Sequence, residues 1–184
     1  MDEHNLVREL ANLGLQWAYL AGRRTVVWRY WGVYLDPDLV QKLVQSWVAR
    51  LSKVHAIDDV DYLCAVPKSG LVLGGYLQSL LRKPMITFDW DHDSVHRPDL
   101  VPPQLKVLVV DSSVNTGGTL AHSQDKLNTV RAEVAHAAVW VLNDLLPDHL
   151  DHRFKADLLD RHGLTWLYTV SELLPHWERR DQMP

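Results

Sequence analysis

The stretch VLVVDSSVNTGGTL, residues Val107 to Leu120, holds the side chains best suited to chemistry. An apolar run that reads as a buried strand ends at Asp111, and a short loop enters a helix at Gly117-Gly118-Thr119. The first turn of a helix leaves N–H groups unpaired and carries partial positive charge, which suits a phosphate. Glycine lets the backbone approach such an anion closely, while Asn115, Thr116 and Thr119 add side-chain donors. Asp111, at the expected strand end, is placed to accept hydrogen bonds from sugar hydroxyls. The same residues also fit a plain strand-to-helix turn in which glycine serves conformation alone.

Other stretches carry weaker signals. Lys68, in the turn Pro67–Gly70 with Ser69, fits either an anion contact or an exposed turn lysine. DWDHD places Asp89, Asp91 and Asp93 at alternate positions, like the opening of a calcium loop. The sixth position is Ser94 rather than Gly and the twelfth is Leu100 rather than Glu, so an EF-hand is excluded and a solvated acidic loop fits better. His149 and His152, with Asp148 and Asp151, share a helical face, but no third convergent ligand accompanies them. Gly70 and Gly75 have Walker-like spacing, yet Tyr76 stands where lysine is needed. No G-x-S-x-G nucleophile elbow occurs.

The elements that must position these residues follow from periodicity. Leu6, Val7, Leu10, Leu13, Trp17 and Leu20 recur at helical spacing, with Asn5 as N-cap. Thr25 to Leu35 is rich in β-branched and aromatic residues and reads as extended. Asp36-Pro37 is a helix start, and Leu39, Val40, Leu43, Val44, Trp47, Val48 and Leu51 form one apolar face. Strands are then expected at 61–66, 84–88, 106–110, 133–142 and 164–170. Helices are expected at 71–81 and from Gly117 through Leu127, and a mostly polar helix before the last strand. Near-continuous apolar strands alternating with helices predict an α/β fold with a mostly parallel sheet covered on both faces. Ligands in such sheets bind beyond the carboxyl ends of the strands.

Composition narrows the function classes. With 184 residues the chain is read as one domain, 1–184: N-terminal helices and strand over 1–60, a core over 61–145, and a C-terminal helix, strand and helix over 146–184. The net charge of −4 argues against general affinity for nucleic acid or anionic membrane. The single cysteine, Cys64, rules out an internal disulfide framework. The charged start and the lack of a long apolar run predict a cytoplasmic domain without a membrane span. Eight Trp against two Phe make indole the main bulky aromatic group, scattered as packing requires.

VLVVDSSVNTGGTL resembles the phosphoribosyl pyrophosphate (PRPP) motif of type I phosphoribosyltransferases, and the resemblance extends over most of the chain. Leu20–Val40, Tyr62–Leu77 and His162–Leu174 are similar to the Ser-Gly-Arg stretch, pyrophosphate loop and final strand of the orotate branch, in the same order. The resemblance implies a core with a small hood region from the two termini, and a homodimer; Trp28, Tyr30, Trp31 and Tyr34 would serve as its interface anchors or, alternatively, in the domain's own core. Asn115 to Thr119 would anchor the 5′-phosphate and Asp111 a ribose hydroxyl. Lys68, Ser69 and Gly70 would hold pyrophosphate, with Mg2+ bridging its oxygens or touching Asp111.

Departures from that pattern set the functional expectation. The family's second strand-end acid is Ser112 here. The loop that in the orotate branch is basic carries Asp89, Asp91 and Asp93, with Arg97 as its only permanent cation. After the fourth strand stands Asn143-Asp144 where that branch places Asp-Arg, so repulsion by Asp144 would disfavour orotate as the base. The expectation is phosphoribosyl transfer to a nucleobase other than orotate. The alternative is a non-catalytic regulator that binds PRPP or a nucleoside monophosphate and keeps the phosphate loop.

Overall fold

The computed structural model describes residues 3–20, 23–89, 93–145 and 163–178. It opens with helix α1 (Glu3–Gly14), followed by an antiparallel hairpin of β1 (Leu15–Leu20) and β2 (Arg23–Trp28). The helix is shorter than its apolar spacing predicts: Trp17 pairs across the hairpin with Val26, and Asn5 lies within α1 rather than capping it. Gly14 marks the break, because a Cβ there would fall 2.1 Å from the ring of Trp28. The extended reading of Thr25–Leu35 holds only to Trp28, after which Val33–Leu35 forms a single 3-10 turn.

Helix α2 (Pro37–Lys53) starts where the Asp-Pro pair predicts, its Leu39 N–H donating to Asp36 Oδ1 at 3.0 Å. A cap of this kind stabilises a helix by about 1 kcal/mol. There follow β3 (Tyr62–Ala65), α3 (Ser69–Leu81), β4 (Met85–Asp89), β5 (Ser94–Val95), β6 (Lys106–Val114), α4 (Gly118–Thr129), β7 (Glu133–Leu142) and β8 (Leu164–Thr169). A short helix, Val170–Leu173, comes after β8 with Thr169 and Glu172 in a capping box. The polar helix expected before β8, with His149, His152, Asp148 and Asp151, lies outside the described residues.

Among the described residues the main sheet has the order β5-β4-β3-β6-β7-β8, parallel except for β5 against β4. Alternation along the strands sends side chains to two separate cores. Leu63, Ala65, Leu108, Val110 and Trp140 pack with Leu43 and Trp47 of α2 and Leu73 and Leu77 of α3. Cys64, Val66, Val107, Val109 and Val139 pack with Leu120 and Leu127 of α4. This is the α/β architecture with both faces covered that the strand pattern predicts.

Trp47 and Trp140 meet edge to face at 6.3 Å in the first core. Such pairs contribute about 1 kcal/mol beyond their buried area. The indole N–H groups of Trp17, Trp28, Trp47, Trp140 and Trp177 are buried without hydrogen-bond partners. Packing, rather than the polar end of the ring, therefore decides where tryptophan sits.

After β3 the chain moves outward to β4 and β5, then returns to the other side of β3 as β6. The reversal between β3 and β6 opens a crevice at their carboxyl ends, the general ligand position of such sheets. No helix among the described residues is long and apolar enough to cross a membrane.

Candidate functional site

Asp111 does not end its strand. The backbone of β6 stays paired with β7 through Ser113–Val141 and Val114–Leu142, so the loop begins only at Asn115. Asp111 is 7% exposed, and its Oδ1 accepts both the Ser69 hydroxyl and the Ser112 N–H at 2.6 Å. Burial raises its carboxyl to about 6, and these two hydrogen bonds oppose the rise. Ser112, next on the strand, points to the opposite face and lines neither cavity at this end of the sheet.

The loop after β6 brings together the residues expected to face a phosphate. Asp111, Ser113, Asn115, Thr116, Gly117 and Thr119 line a cavity of about 120 Å³. Gly117 has φ +85°, a left-handed conformation that only glycine adopts readily, and no side chain caps α4. The Thr116 hydroxyl approaches the Gly118 N–H only to 3.5 Å. The amide end of α4 thus remains available to an external anion. Asn115 is held from behind by the buried Asn143, whose Nδ2 donates to Asn115 Oδ1 at 3.0 Å and to the Val26 carbonyl at 2.9 Å.

A second cavity, of about 270 Å³, adjoins the first and shares Asp111 and Thr119 with it. Its other walls are the Pro67–Lys68–Ser69 turn and the side chains of Arg29, Tyr30 and Trp31. Helix α3 begins at Ser69, two residues earlier than its apolar pattern predicts. Lys68 adopts φ +69° and ψ −101°, a conformation costly for any residue with a Cβ. Gly70 is required by contact, since a Cβ there would lie 2.6 Å from the Val110 carbonyl. Tyr34 donates its hydroxyl to the Ser69 carbonyl at 2.7 Å, and burial, reinforced by the Asp111 charge, pushes its phenol well above the usual range.

Sequence reasoning offers the aromatic run after Arg24 either as interface anchors or as part of the domain's own core. In the fold, Trp28 is core, Tyr34 half-buried, and Tyr30 and Trp31 stack at 4.2 Å on the wall of the second cavity. The dense aromatic composition was the available signal, but nothing local in it distinguishes a cleft wall from an interface. Asn143, in the sequence only a departure from Asp-Arg, likewise gives no local signal that it supports the 115–119 loop.

The acidic residues behave differently from their sequence reading. Asp144 accepts the Ser171 N–H at 2.9 Å and the Ser171 hydroxyl, tying the end of β7 to the final helix. It lines neither cavity, contrary to the expectation that Asp144 faces the base. Asp93 contacts His122 at 2.7 Å and pairs with Lys126 on α4, which lowers its carboxyl below the usual range. Arg97, the loop's only permanent cation, donates to both oxygens of Asp99 at 3.0 and 2.8 Å. Asp89 ends β4 outside both cavities, and Asp91 lies outside the described residues. A larger cavity, about 510 Å³, is lined by Leu6, Arg50, Lys53 and Leu167 among others and contains none of these residues.

No family model matches the chain. It is 32% identical over 130 residues to the adenine phosphoribosyltransferase of Gluconobacter oxydans, covering 59% of this chain and 73% of that protein. It is 30% identical over 147 residues to the adenine phosphoribosyltransferase of Acidiphilium cryptum, covering 67% and 86%. Among solved structures, the orotate phosphoribosyltransferase of Aeropyrum pernix superposes with a TM-score of 0.70 at 21% identity, covering 94% of this chain and 96% of that one. That likeness concerns the fold, which solved adenine phosphoribosyltransferases share as well. The sequence relatives, all adenine phosphoribosyltransferases, correct the expected kinship with the orotate branch. The chain belongs to the type I phosphoribosyltransferase family, on its adenine side.

Proposed function

We propose that this protein transfers the phosphoribosyl group of PRPP to a nucleobase, with adenine the first candidate, and releases pyrophosphate. The observation that carries the reading is the pair of joined cavities at the β3–β6 crevice, with Asp111 and Thr119 on their common wall. A sugar bridging them would place its 5′-phosphate on Asn115 to Thr119 and its hydroxyls against Asp111. Its diphosphate would lie along Lys68, Ser69 and Gly70. A flat base then has Tyr30 and Trp31 to stack on and Arg29 beside it, a wall suited to a bicyclic ring.

Transfer is a displacement at the anomeric carbon. The base nitrogen forms the new bond as the carbon–oxygen bond breaks, the electron pair of that bond leaves with pyrophosphate, and the base's N–H proton passes to the departing diphosphate or to water. Positive charge develops on the sugar in between, so a fixed carboxylate in a dry site stabilises the transition state more than the ground state. Asp111 is ionised above pH 6 and held rigidly by Ser69 and Ser112, as that role requires. Lys68 and the α4 amide end supply the complementary positive field for the two phosphate groups.

Among the described residues no group of three His, Cys, Asp or Glu side chains could hold a metal. A single carboxylate, Asp111, with only one oxygen engaged by the protein, fits magnesium brought in by the diphosphate rather than a resident ion. Bound there, magnesium would neutralise charge on the leaving group.

Ser112 is the observation that favours the other reading, a binding protein without turnover, because the site then has one acid for two ribose hydroxyls. Incubation with PRPP, magnesium and a panel of nucleobases, followed by chromatography for the nucleoside monophosphate, separates the two. AMP from adenine supports the enzyme; PRPP binding by calorimetry without product from any base supports the regulator. A homodimer belongs to the same proposal, and sedimentation velocity checks it.

A further inference from the structure

The cavity walls are joined by one side chain that touches neither cavity. Tyr34 leaves the 3-10 turn after β2 and reaches the carbonyl of Ser69 at 2.7 Å. Its ring packs against Tyr30 at 5.1 Å and Trp140 at 5.9 Å, and Tyr30 in turn lies on Trp31. Ser69 itself is gripped at its other end, its hydroxyl donating to Asp111. Tyr34 and Asp111 therefore hold the same residue from opposite sides, immediately after the strained Lys68.

We propose that Tyr34 is a positioning residue: its hydroxyl fixes the Lys68–Gly70 turn for the diphosphate and links that turn to the aromatic wall formed by Tyr30 and Trp31. This rests on the assignment of the joined cavities to phosphoribosyl transfer. A backbone with Lys68 at φ +69° persists only where its surroundings over-determine it. The Tyr34 bond is one of the few constraints on that turn, beside the Val66 N–H to Val110 carbonyl bond at 3.0 Å and the close packing of Gly70 on β6. Because the phenol is buried beside Asp111, it stays protonated and remains a donor throughout the working pH range.

Tyr34→Phe keeps the ring stack and removes the bond. Amide hydrogen exchange of the wild type and the variant, read by mass spectrometry, should show residues 68–70 exchanging about 3- to 10-fold faster in the variant, the loss of one hydrogen bond. In the transfer assay the KM for PRPP should rise by a similar factor while the KM for the base stays within about twofold. Tyr76→Phe, on the outer face of α3, is the control and should change neither. Unchanged exchange at 68–70 overturns the proposal, as does a variant in which both KM values rise together or only kcat falls. A wild type that transfers to no base overturns the transfer assignment instead. The exchange comparison then still decides whether Tyr34 holds the turn.

Discussion

Replacing Asp111 with Asn should make the protein more stable and less active. The carboxyl is almost fully buried, and its pKa stands near 6 against an ordinary 3.8. That difference corresponds to about 3 kcal/mol of penalty for holding the ionised form in the folded protein. Between about pH 4 and pH 6 the folded chain binds a proton that the unfolded chain has released. Asp111 therefore lowers stability as pH rises through that window, and its cost is constant above it. Asn keeps an oxygen for the Ser69 hydroxyl and the Ser112 N–H, so the variant loses charge without losing those bonds. Urea unfolding at pH 8 should show a gain approaching 3 kcal/mol, equivalent to roughly 6 to 12 °C in Tm for a chain of this size. Near pH 4 the gain should shrink towards zero. Phosphoribosyl transfer by the variant should fall at least about a hundredfold, the usual effect of removing a transition-state electrostatic partner. A variant no more stable than the wild type at pH 8, or one equally stabilised at both pH values, would refute the argument that burial of a charge sets this residue's energetics.

Gly118→Val should fold normally, because a Cβ there meets nothing nearer than Thr116 Oγ1 at 3.7 Å. It should still weaken AMP binding by roughly tenfold or more through obstruction of the α4 amide end, as calorimetry would show. Asn143→Leu strands the Val26 carbonyl and releases Asn115; urea unfolding should report a loss of about 1–3 kcal/mol, and AMP affinity should fall with it. Gly163→Ala combines φ +69° with a Cβ 2.8 Å from the His136 ring, so it should cost at least about 1 kcal/mol in the same measurement while leaving AMP affinity unchanged.

The sheet was legible because its strands are buried on both faces, and KVLVV or EVAHAAVWVL permits little else. The α1–β1 boundary was not, since Leu13 and Trp17 continue a helical spacing that only the packing of Gly14 on Trp28 interrupts. Likewise, the end of β6 depends on pairing with β7, a partner more than twenty residues away in sequence, so Asp111 was read as a strand terminus. The loop at 115–119 could be placed from the sequence because its elements are local: a strand, a glycine pair and a helix start are adjacent. Tyr34, Asn143 and the Asp93–Lys126 pair were hidden because each acts across 28 or more residues. Charges could be counted from the sequence, but whether Asp144 and Asp93 faced a ligand or a helix could not.

The uneven burial of tryptophan gives the protein a built-in optical reporter. Trp28, Trp47 and Trp140 are at most 1% exposed and their N–H groups are unpartnered, whereas Trp31 is 62% exposed on the wall of the candidate base cavity. Excited indole relaxes through surrounding water dipoles, so the buried rings emit toward the blue and Trp31 toward the red. Excitation at the long-wavelength edge favours the red emitters, of which Trp31 is the most exposed among the described residues, and iodide, which stays in solvent, quenches these first. A base stacked on Trp31 would dim that component and shield it from iodide while leaving the blue emission unchanged. Ligand occupancy at one end of the sheet could therefore be followed in the unmodified protein, without label, coupling enzyme or turnover.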